Sequence, residues 1–400
     1  MDMLNSLYSN NSYLNDKSYE EQLSVIYKSN CMYSDSFSRA MNSLDNKAFD
    51  FYSDFEILQK AWAHENGLEY EEDSWNEDII LGQISLYRPE VIYFQDTENL
   101  PRSIRETLKE RFPFIRLVVL YSGYPSRLDE LHDIDLLIAG TPRLVEQYKT
   151  NGVDPSLVYH GFDQEVLSKM ETNNGDQEKY DFTFVGSSGY GYGMSHQSRY
   201  WALKELRERT NIHLWLEERD NLLSSKSNLK QNSLFKRLIR RLLGIMAKKI
   251  FSSNMHIQNN EIEEDSIVPV IPLKKVLKGK CYSASFGLDM YTILAESKVV
   301  FNMHTDAAEG VVGNMRMFES TGIGTCLLTD TGSNMADLFV EDQEVVTYNS
   351  IDECIEKSKY LLDNEAHRKE IALAGQKRTL KDHTLRQRYA EIDQLIKNHL

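Results

Sequence analysis

Cysteine is scarce in this sequence, and the cysteines do not lie close together along the chain. There are four, and no two of them form a C-x-x-C pair: Cys31, Cys281, Cys326 and Cys354. Scattered cysteines predict reduced thiols, and they support neither a zinc site nor a disulfide framework. We therefore expect a protein without a bound metal.

Membrane-spanning and secretory features are also missing. No apolar run reaches the roughly 18 residues that a membrane span requires. The N-terminus, MDMLNSLYSNNSYLND, has neither the cationic start nor the apolar core of a signal peptide. These features predict a cytoplasmic protein. Apolar residues make up 41% of the 400 residues, which is enough for two domains that each bury their own core.

Positively charged residues are outnumbered, since the sequence has 45 Lys and Arg residues and 61 Asp and Glu residues. The net charge of −16 argues against a nucleic-acid partner. The exception is segment 226–251, which holds eight cations and no acid. Within it, residues 234–251 have an apolar repeat near 3.6 and a cationic polar face. They predict either a helix on the anionic inner face of a membrane or an inserted helix packed on its own domain.

A regular alternation of short apolar runs and helical stretches begins after Pro89. It predicts a parallel sheet built from βαβ units, with strands at 91–94, 117–121, 136–139 and 157–159. Polar residues follow these strands at the carboxyl edge of the sheet, which is where open α/β sheets bind ligands: Gln95, Asp96, Ser122, Gly123, Gly140 and Thr141. Asp96 is a candidate base for an acceptor hydroxyl, and a turn cap explains it equally well.

A second alternation of strands and helices starts at Tyr180, after a polar, turn-rich stretch. The organisation that we expect is an N-terminal domain, a linker, a second domain carrying the basic helical insertion 226–251, and a final helix. The expected bounds are 1–163, 164–180, 181–383 and 384–400. Two further patterns lie in the first seventy residues: 55–67 predicts a helix and 48–52 a short strand.

The stretch 298–330 predicts a buried strand, a polar loop, a helix near 314–321 and a second strand. Asn314 can cap this helix, whose free N–H groups then form a site for a phosphate. Arg316 and Glu319 lie three residues apart and share a face. A guanidinium suits a diphosphate and a carboxylate suits the hydroxyls of a ribose. An ordinary solvated ion pair explains the same spacing.

Two further groups are candidates for donor binding. The glycine-rich loop 186–193, with Gly186 and Ser187 at its start, follows a strand, so its N–H groups can approach a phosphate. The same loop allows a dinucleotide site with Glu217 on the ribose. Asn302 and His304 follow the strand of the 298–330 stretch and can face the donor phosphates or sugar. A local pair of His304 with Asp306 is the alternative.

Motifs in both halves resemble one enzyme family. The strings N-x-R-x-F-E, T-G-x-G and L-x-T-D, between residues 314 and 330, resemble the C-terminal signature of the CgeB-like (spore-maturation-type) glycosyltransferases, a GT-B group. Near the N-terminus, S-Y-E-E-Q-L, S-D-S-F and L-Q-x-A-W-A-x-E resemble the same proteins. Such proteins normally open with a hydrophobic strand. Residues 1–8 form a poor one, so we expect the first strand to be absent, short or replaced.

The resemblance implies an α/β fold of the GT-B class, in which two Rossmann-like domains with parallel sheets face a cleft and the last helix crosses back onto the first domain. It also implies that Arg316 contacts the donor phosphates and Glu319 the ribose. Val311 stands where many retaining GT-B enzymes carry a second glutamate, eight residues before Glu319. Inverting and retaining chemistry therefore both stay open.

The expected function is metal-independent transfer of a sugar from a UDP-, GDP- or dTDP-sugar, without a bound cofactor, to a glycan, lipid-linked or protein acceptor. Two alternatives remain at this stage. One is a catalytically inactive nucleotide-binding scaffold or sensor in envelope or spore-coat assembly. The other is a dinucleotide-dependent oxidoreductase that uses the glycine-rich loop.

Overall fold

The computed structural model describes residues 2–30, 34–170, 178–219, 271–277 and 279–400. Two separate parallel sheets organise them, as the sequence predicts. The basic segment 226–251, with its predicted helix, lies outside the described residues.

In residues 2–30 and 34–90, five α-helices precede the first strand: α1 (Asp2–Asn10), α2 (Tyr19–Ser29), α3 (Ser36–Ser43), α4 (Glu56–Glu65) and α5 (Trp75–Tyr87). Helix α1 takes the place of the hydrophobic opening strand. Four of these helices contribute to one apolar cluster around Ile26, Leu58 and Trp62. The strand predicted at 48–52 is wrong: this segment pairs with no strand, and it leaves Phe49 and Phe51 exposed.

The first sheet has the order β1-β2-β3-β4 and is parallel throughout. Its elements are β1 (Val91–Phe94), α6 (Arg102–Arg111), β2 (Leu117–Ser122), β3 (Leu136–Ala139), α7 (Pro142–Thr150) and β4 (Ser156–Leu157). Every residue of β2 is buried, because Val118 and Leu120 pack with α5, α6 and α7 while Val119 and Tyr121 pack on the opposite face. Burial on both faces explains why this strand is a continuous apolar run. The edge strand β1 is only half buried.

A short helix, α8 (Glu165–Met170), follows the first sheet. The expected linker 164–180 is therefore not turn-rich throughout. Its residues 171–177 lie outside the described part of the chain. Helix α8 forms because Val166 is buried against Phe162 and the apolar core of the second sheet.

The second sheet has the order β10-β9-β8-β5-β6-β7, again parallel. Its elements begin with β5 (Tyr180–Ser187), α9 (Gln197–Arg209), β6 (His213–Glu217), α10 (Leu273–Val276), β7 (Cys281–Ser283) and α11 (Gly287–Ala295). They continue with β8 (Ser297–Asn302), α12 (Met315–Gly322), β9 (Cys326–Asp330), α13 (Met335–Leu338), β10 (Val346–Tyr348), α14 (Ile351–Asp363) and α15 (Glu365–Asp382). The strand order reverses between β5 and β8, and ligands of open α/β sheets bind at such a switch point.

The last helix, α16 (Leu385–His399), crosses back onto the first sheet, as expected. Its Leu385, Tyr389 and Ile392 pack with Val119 of β2 and with α3. No helix of the described ranges is both long enough and apolar enough to cross a membrane.

The chain passes between the two sheets twice, and the two passages lie side by side. The Phe162 N–H donates to the His383 carbonyl (2.9 Å), and the Leu385 N–H donates to the Phe162 carbonyl (2.9 Å). Gly161 permits this approach, since a Cβ there would lie 2.9 Å from the Thr384 carbonyl carbon. The two passages therefore form one paired junction.

Candidate functional site

Polar residues meet at the carboxyl edge of the second sheet, around its switch point. Ser187 ends β5, Asn302 ends β8 and Asp330 ends β9. Because β8 lies between β5 and β9, these three strand ends are neighbours. The fold thus joins residues that are up to 143 positions apart in the sequence.

His304 is the centre of this edge, and its partner is Asp330. The ring Nδ1 lies 2.8 Å from Asp330 Oδ1, and the His304 backbone N–H donates to the same carboxylate (2.9 Å). Nε2 accepts from the N–H groups of Gly313 (3.0 Å) and Asn314 (3.2 Å). Because Nε2 accepts these two hydrogen bonds, the ring N–H that faces Asp330 is the one on Nδ1.

The predicted alternative, a local pair of His304 with Asp306, is wrong. Asp306 turns towards α9, where its Oδ2 accepts from the Ser198 N–H (3.2 Å).

Burial raises the pKa of Asp330, but its contacts with His304 outweigh burial and hold the pKa below its usual range.

Asn302 and Asn314 lie together at this edge of the sheet. Their side-chain amides exchange two hydrogen bonds (3.1 and 2.9 Å), and Asn302 Nδ2 also donates to Thr329 Oγ1 (2.9 Å). Asn314 Oδ1 caps α12 by accepting from the Met317 N–H (3.3 Å). These hydrogen bonds hold the start of α12 at the edge of the sheet. Direct contact of Asn302, His304 and Asn314 with a ligand stays a prediction.

The Arg316–Glu319 pair is largely buried. Arg316 Nη1 lies 2.8 Å from Glu319 Oε2, and the two side chains are only 15% and 9% exposed. Met290 of α11 covers the pair, with its sulfur 2.9 Å from Arg316 Nη1. The interpretation as a solvated surface pair is therefore wrong. Burial, with Glu319 nearby, raises the pKa of Tyr291 well above its usual range.

Arg316 also keeps one hydrogen-bonding group unused. Its Nε is buried and has no hydrogen-bond partner among the residues that the structure describes. Buried donors are almost always paired in folded proteins, so such a group marks a position for a ligand or an ordered water. The first turn of the same short helix also offers the amides of Met315 and Arg316, because the Asn314 cap engages only the Met317 N–H.

The glycine-rich loop 186–193 connects β5 to α9, and two of its glycines serve the packing of the loop itself. Gly189 and Gly191 have φ values of +88° and +82°. A Cβ at Gly189 would lie 2.4 Å from the His196 carbonyl oxygen, and one at Gly191 would lie 2.2 Å from that of Arg219. These glycines are therefore required whether or not a phosphate binds. Gly186 lies inside β5.

Arg199 is a residue of this edge that the sequence analysis missed. It is 8% exposed, and it joins two strand ends by donating to Ser187 Oγ (2.8 Å) and to the Met303 carbonyl (2.5 Å). Its Nε is a second buried nitrogen without a hydrogen-bond partner in the described residues. An arginine in the first turn of the helix after a glycine-rich loop was the signal that could have revealed it.

A cavity of about 810 Å³ lies at the carboxyl edge of the first sheet. Of the polar strand-end residues predicted there, Gln95, Asp96, Ser122 and Gly123 line it, and Gly140 and Thr141 do not. Thr141 caps α7 instead, where its Oγ1 accepts from the Leu144 N–H (3.4 Å).

Asp96 forms the turn cap that was the alternative explanation for it. It is exposed in the wall of the cavity, and its Oδ1 accepts from the Glu98 N–H (3.1 Å), which stabilises the turn after β1. A role as base stays a prediction. His160 lies near this edge too, with Nδ1 3.3 Å from the Tyr121 hydroxyl. Burial, helped by Arg388, lowers the pKa of His160 to about 4.

Loops at the two carboxyl edges contact each other. Arg143 of α7 pairs with Glu309, which precedes α12 (2.6 Å). The ring of Tyr124, which lines the cavity, stacks at 6.0 Å on His196, at the end of the glycine-rich loop. The cavity of the first sheet therefore opens beside the loops that end β5 and β8.

Comparison with known proteins agrees with this arrangement. Residues 277–394 match a protein-family model described as glycosyl transferase-like. The match contains β8, α12 and the Arg316–Glu319 pair, and it supports a coarser relationship than the CgeB-like group. No protein of curated function matches the sequence.

Solved structures define the fold. The chain has the GT-B fold. HepE from Anabaena in complex with UDP-glucose aligns over 90% of this chain and 94% of its own, with 10% identity and a TM-score of 0.52. The same protein in complex with UDP and glucose gives 11% identity and a TM-score of 0.51, with the same coverage.

In the described residues, no three or more His, Cys, Asp and Glu side chains lie together in a group that could hold a metal ion. The cysteines Cys281, Cys326 and Cys354 are free thiols. Burial raises the pKa of Cys326 to about 12. This thiol therefore stays protonated and unreactive at neutral pH.

Proposed function

We propose that this protein is a glycosyltransferase that moves a sugar from a nucleoside diphosphate sugar to an acceptor held at the first sheet. One observation carries the proposal. The buried Arg316–Glu319 pair lies in the helix that follows the central strand β8, beside the switch point of the second sheet. This helix lies within the region that matches a glycosyl transferase-like family.

Arg316 and the start of α12 are the proposed diphosphate site. The unpartnered Nε of Arg316 and the first-turn amides of Met315 and Arg316, which the Asn314 cap does not engage, supply N–H donors. A fixed positive charge there would stabilise the negative charge that develops on the leaving diphosphate. The proposal therefore needs no metal, and activity that persists in EDTA would support this part of it.

Glu319 is the proposed ribose contact, because a carboxylate can accept hydrogen bonds from both hydroxyls of the sugar. Its ion pair with Arg316 keeps the proposed ribose contact next to the proposed diphosphate contact. HepE, which shares the fold, is described in complex with UDP-glucose, so UDP-sugars are the first donors to test. The dinucleotide alternative loses support, since it uses neither Arg316 nor Glu319.

The reaction breaks the bond between the sugar C1 and the diphosphate oxygen, and it forms a bond from C1 to an acceptor oxygen. The acceptor hydroxyl loses a proton in this exchange. Asp96 is the base that we propose, since it lines the cavity and its Oδ2 has no hydrogen-bond partner in the described ranges. Closure of the loops around Arg143 and Glu309 would exclude water from the donor.

Donor binding is tested by calorimetric titration of UDP, after a thermal-shift comparison of UDP, GDP, ADP, CMP and dTDP. Glu319→Gln should weaken UDP binding by about 10- to 100-fold, because charge-assisted hydrogen bonds to the ribose are lost. Glu391→Gln is the matched control, since Glu391 forms a similar i,i+3 pair with Arg388 on α16. Equal UDP affinity in the wild type and Glu319→Gln would contradict the placement of the donor.

Turnover is tested by release of the free nucleoside diphosphate from a panel of nucleotide sugars, with and without acceptors. Release supports an enzyme. Tight binding without release under every acceptor condition would instead support the inactive scaffold.

A further inference from the structure

The cavity of the first sheet has an uneven distribution of charge. Five charged side chains line it: Asp96, Glu98, Arg102, Arg127 and Glu130. Their net formal charge is only −1, but their partners differ. The ion pairs around the cavity decide which charges are left to meet a ligand.

Both arginines are already engaged by carboxylates that do not line the cavity. Arg127 binds Asp129 through Nε (3.0 Å) and Nη2 (2.5 Å). Arg102 binds Glu106 through Nε (2.7 Å), and its Nη1 donates to the Asp129 carbonyl (3.1 Å). An incoming anion would have to compete with these contacts for either guanidinium.

The two carboxylates nearest the end of β1 are not neutralised in this way. Neither Asp96 nor Glu98 forms an ion pair with any residue that the structure describes, whereas Glu130 lies 3.5 Å from Arg105. Two uncompensated negative charges in one wall repel an anion and favour a neutral or cationic group.

The remaining lining suits a polyhydroxylated molecule. Hydroxyl and amide groups come from Gln95, Thr97, Ser103, Ser122 and Ser126. The ring of Tyr124 is 47% exposed at the same cavity and offers an apolar face. A sugar presents the same combination of hydroxyl groups around a flat C–H surface.

We propose that this cavity holds an uncharged or amino-bearing carbohydrate acceptor, and that Asp96 and Glu98 select against phosphorylated or carboxylated acceptors. The inference rests on the proposed function for the choice of a carbohydrate. The selection by charge is a property of the cavity alone, and it requires no turnover.

The test is binding of three hexose probes to the full-length protein, measured by saturation-transfer NMR at low salt. The probes are methyl glucoside, glucosamine and glucose 6-phosphate, which differ in charge. We expect glucose 6-phosphate to bind at least about tenfold more weakly than methyl glucoside, and glucosamine to bind at least as well as methyl glucoside. UDP is titrated in a parallel sample, so that failure of the donor site is seen separately.

The double variant Asp96→Asn/Glu98→Gln keeps the size of both side chains and removes both charges. It should reduce the discrimination against glucose 6-phosphate to less than about threefold. Glu110→Gln, on the exposed far end of α6, removes the same kind of charge away from the cavity and should leave discrimination unchanged.

Three results would overturn the inference: equal or tighter binding of glucose 6-phosphate, discrimination that persists in the double variant, and no binding of any probe. Sugar binding with the expected order but without UDP binding would uphold the selection by charge and refute the proposed donor site. Because binding is measured, loss of Asp96 as a base does not affect the outcome.

Discussion

Protonation of His383 should destabilise the junction between the two sheets. His383 is 4% exposed and packs between the rings of Phe318 and Phe339. Arg388 Nη2 donates to Nδ1 (2.7 Å), so Nε2 carries the proton and donates to the Leu338 carbonyl (2.8 Å). A second proton, on Nδ1, would face the guanidinium of Arg388 and displace it.

The magnitude follows from the pKa. Burial is the largest cause that lowers the pKa of His383 to about 4; Arg388 and Arg378 add to it, and the hydrogen bond to the Leu338 carbonyl and the charge of Asp382 oppose it. The pKa of an unfolded histidine is about 6.5. The unfolded chain therefore binds the proton more tightly, and stability falls as the pH drops from about 6.5 to 4. The full loss is about 3 kcal/mol, or about 1.2 kcal/mol per pH unit near pH 5.

The assay compares the free energy of unfolding in urea between pH 4.5 and 7.5 for the wild type and His383→Gln. Gln keeps an N–H for the Leu338 carbonyl but does not titrate, so its curve should be shallower by that slope. His160 and His196 also have pKa values lowered to about 4 by burial, so only the difference between the two proteins is diagnostic.

Direct titration gives a second measurement, because chains of this size often unfold in more than one step. NMR of histidine-labelled protein should show His383 titrating near pH 4. Titration near 6.5, or parallel stability curves for the wild type and His383→Gln, would refute the reasoning.

Three further predictions concern the junction between the two sheets, the contact between the loops at their carboxyl edges, and the carboxyl edge of the second sheet. Gly322→Ala should lower the free energy of unfolding by about 1–3 kcal/mol, measured in urea, because a Cβ there would lie 2.3 Å from the ring of Phe162. Arg143→Ala should change stability by less than about 1 kcal/mol in the same assay, because its partner Glu309 is 59% exposed. Asp330→Asn should weaken UDP binding by about tenfold in calorimetry, because an amide cannot accept every N–H of His304 that this carboxylate holds. Unchanged UDP affinity would contradict a role of Asp330 in donor binding.

Local signals in the sequence were sufficient to predict the elements at the carboxyl edge of the second sheet. Asn314 before an apolar repeat and Gly322 near its end predict α12 to within a residue of its observed bounds. The strands of the first sheet and strands β8 and β9 of the second were found because parallel strands buried on two faces are continuous apolar runs. Strand β7, which is poorly buried, was not predicted. Helix α16 was placed correctly by the resemblance, since its crossing to the first sheet has no local signal.

The partners of the site residues could not be predicted, because they depend on which strands are neighbours. His304 and Asp330 lie 26 residues apart, and they meet only because β8 pairs with β9. Burial of Arg316 is equally non-local, since Met290 on α11 covers it. In the same way, the glycines of the 186–193 loop allowed a phosphate-binding role, whereas the structure shows that Gly189 and Gly191 are needed for close packing.

The positions of the contacts between the two sheets indicate how a donor would enter. At the junction, two backbone hydrogen bonds and the close approach at Gly161 hold the passages together. The loop contacts at the carboxyl edges are weaker, since the Arg143–Glu309 pair is partly exposed and such pairs contribute at most about 1 kcal/mol. Separating these loops costs less free energy than loosening the junction. We therefore expect the sheets to rotate about the junction, and Asp96 to approach the donor only when the loops are closed.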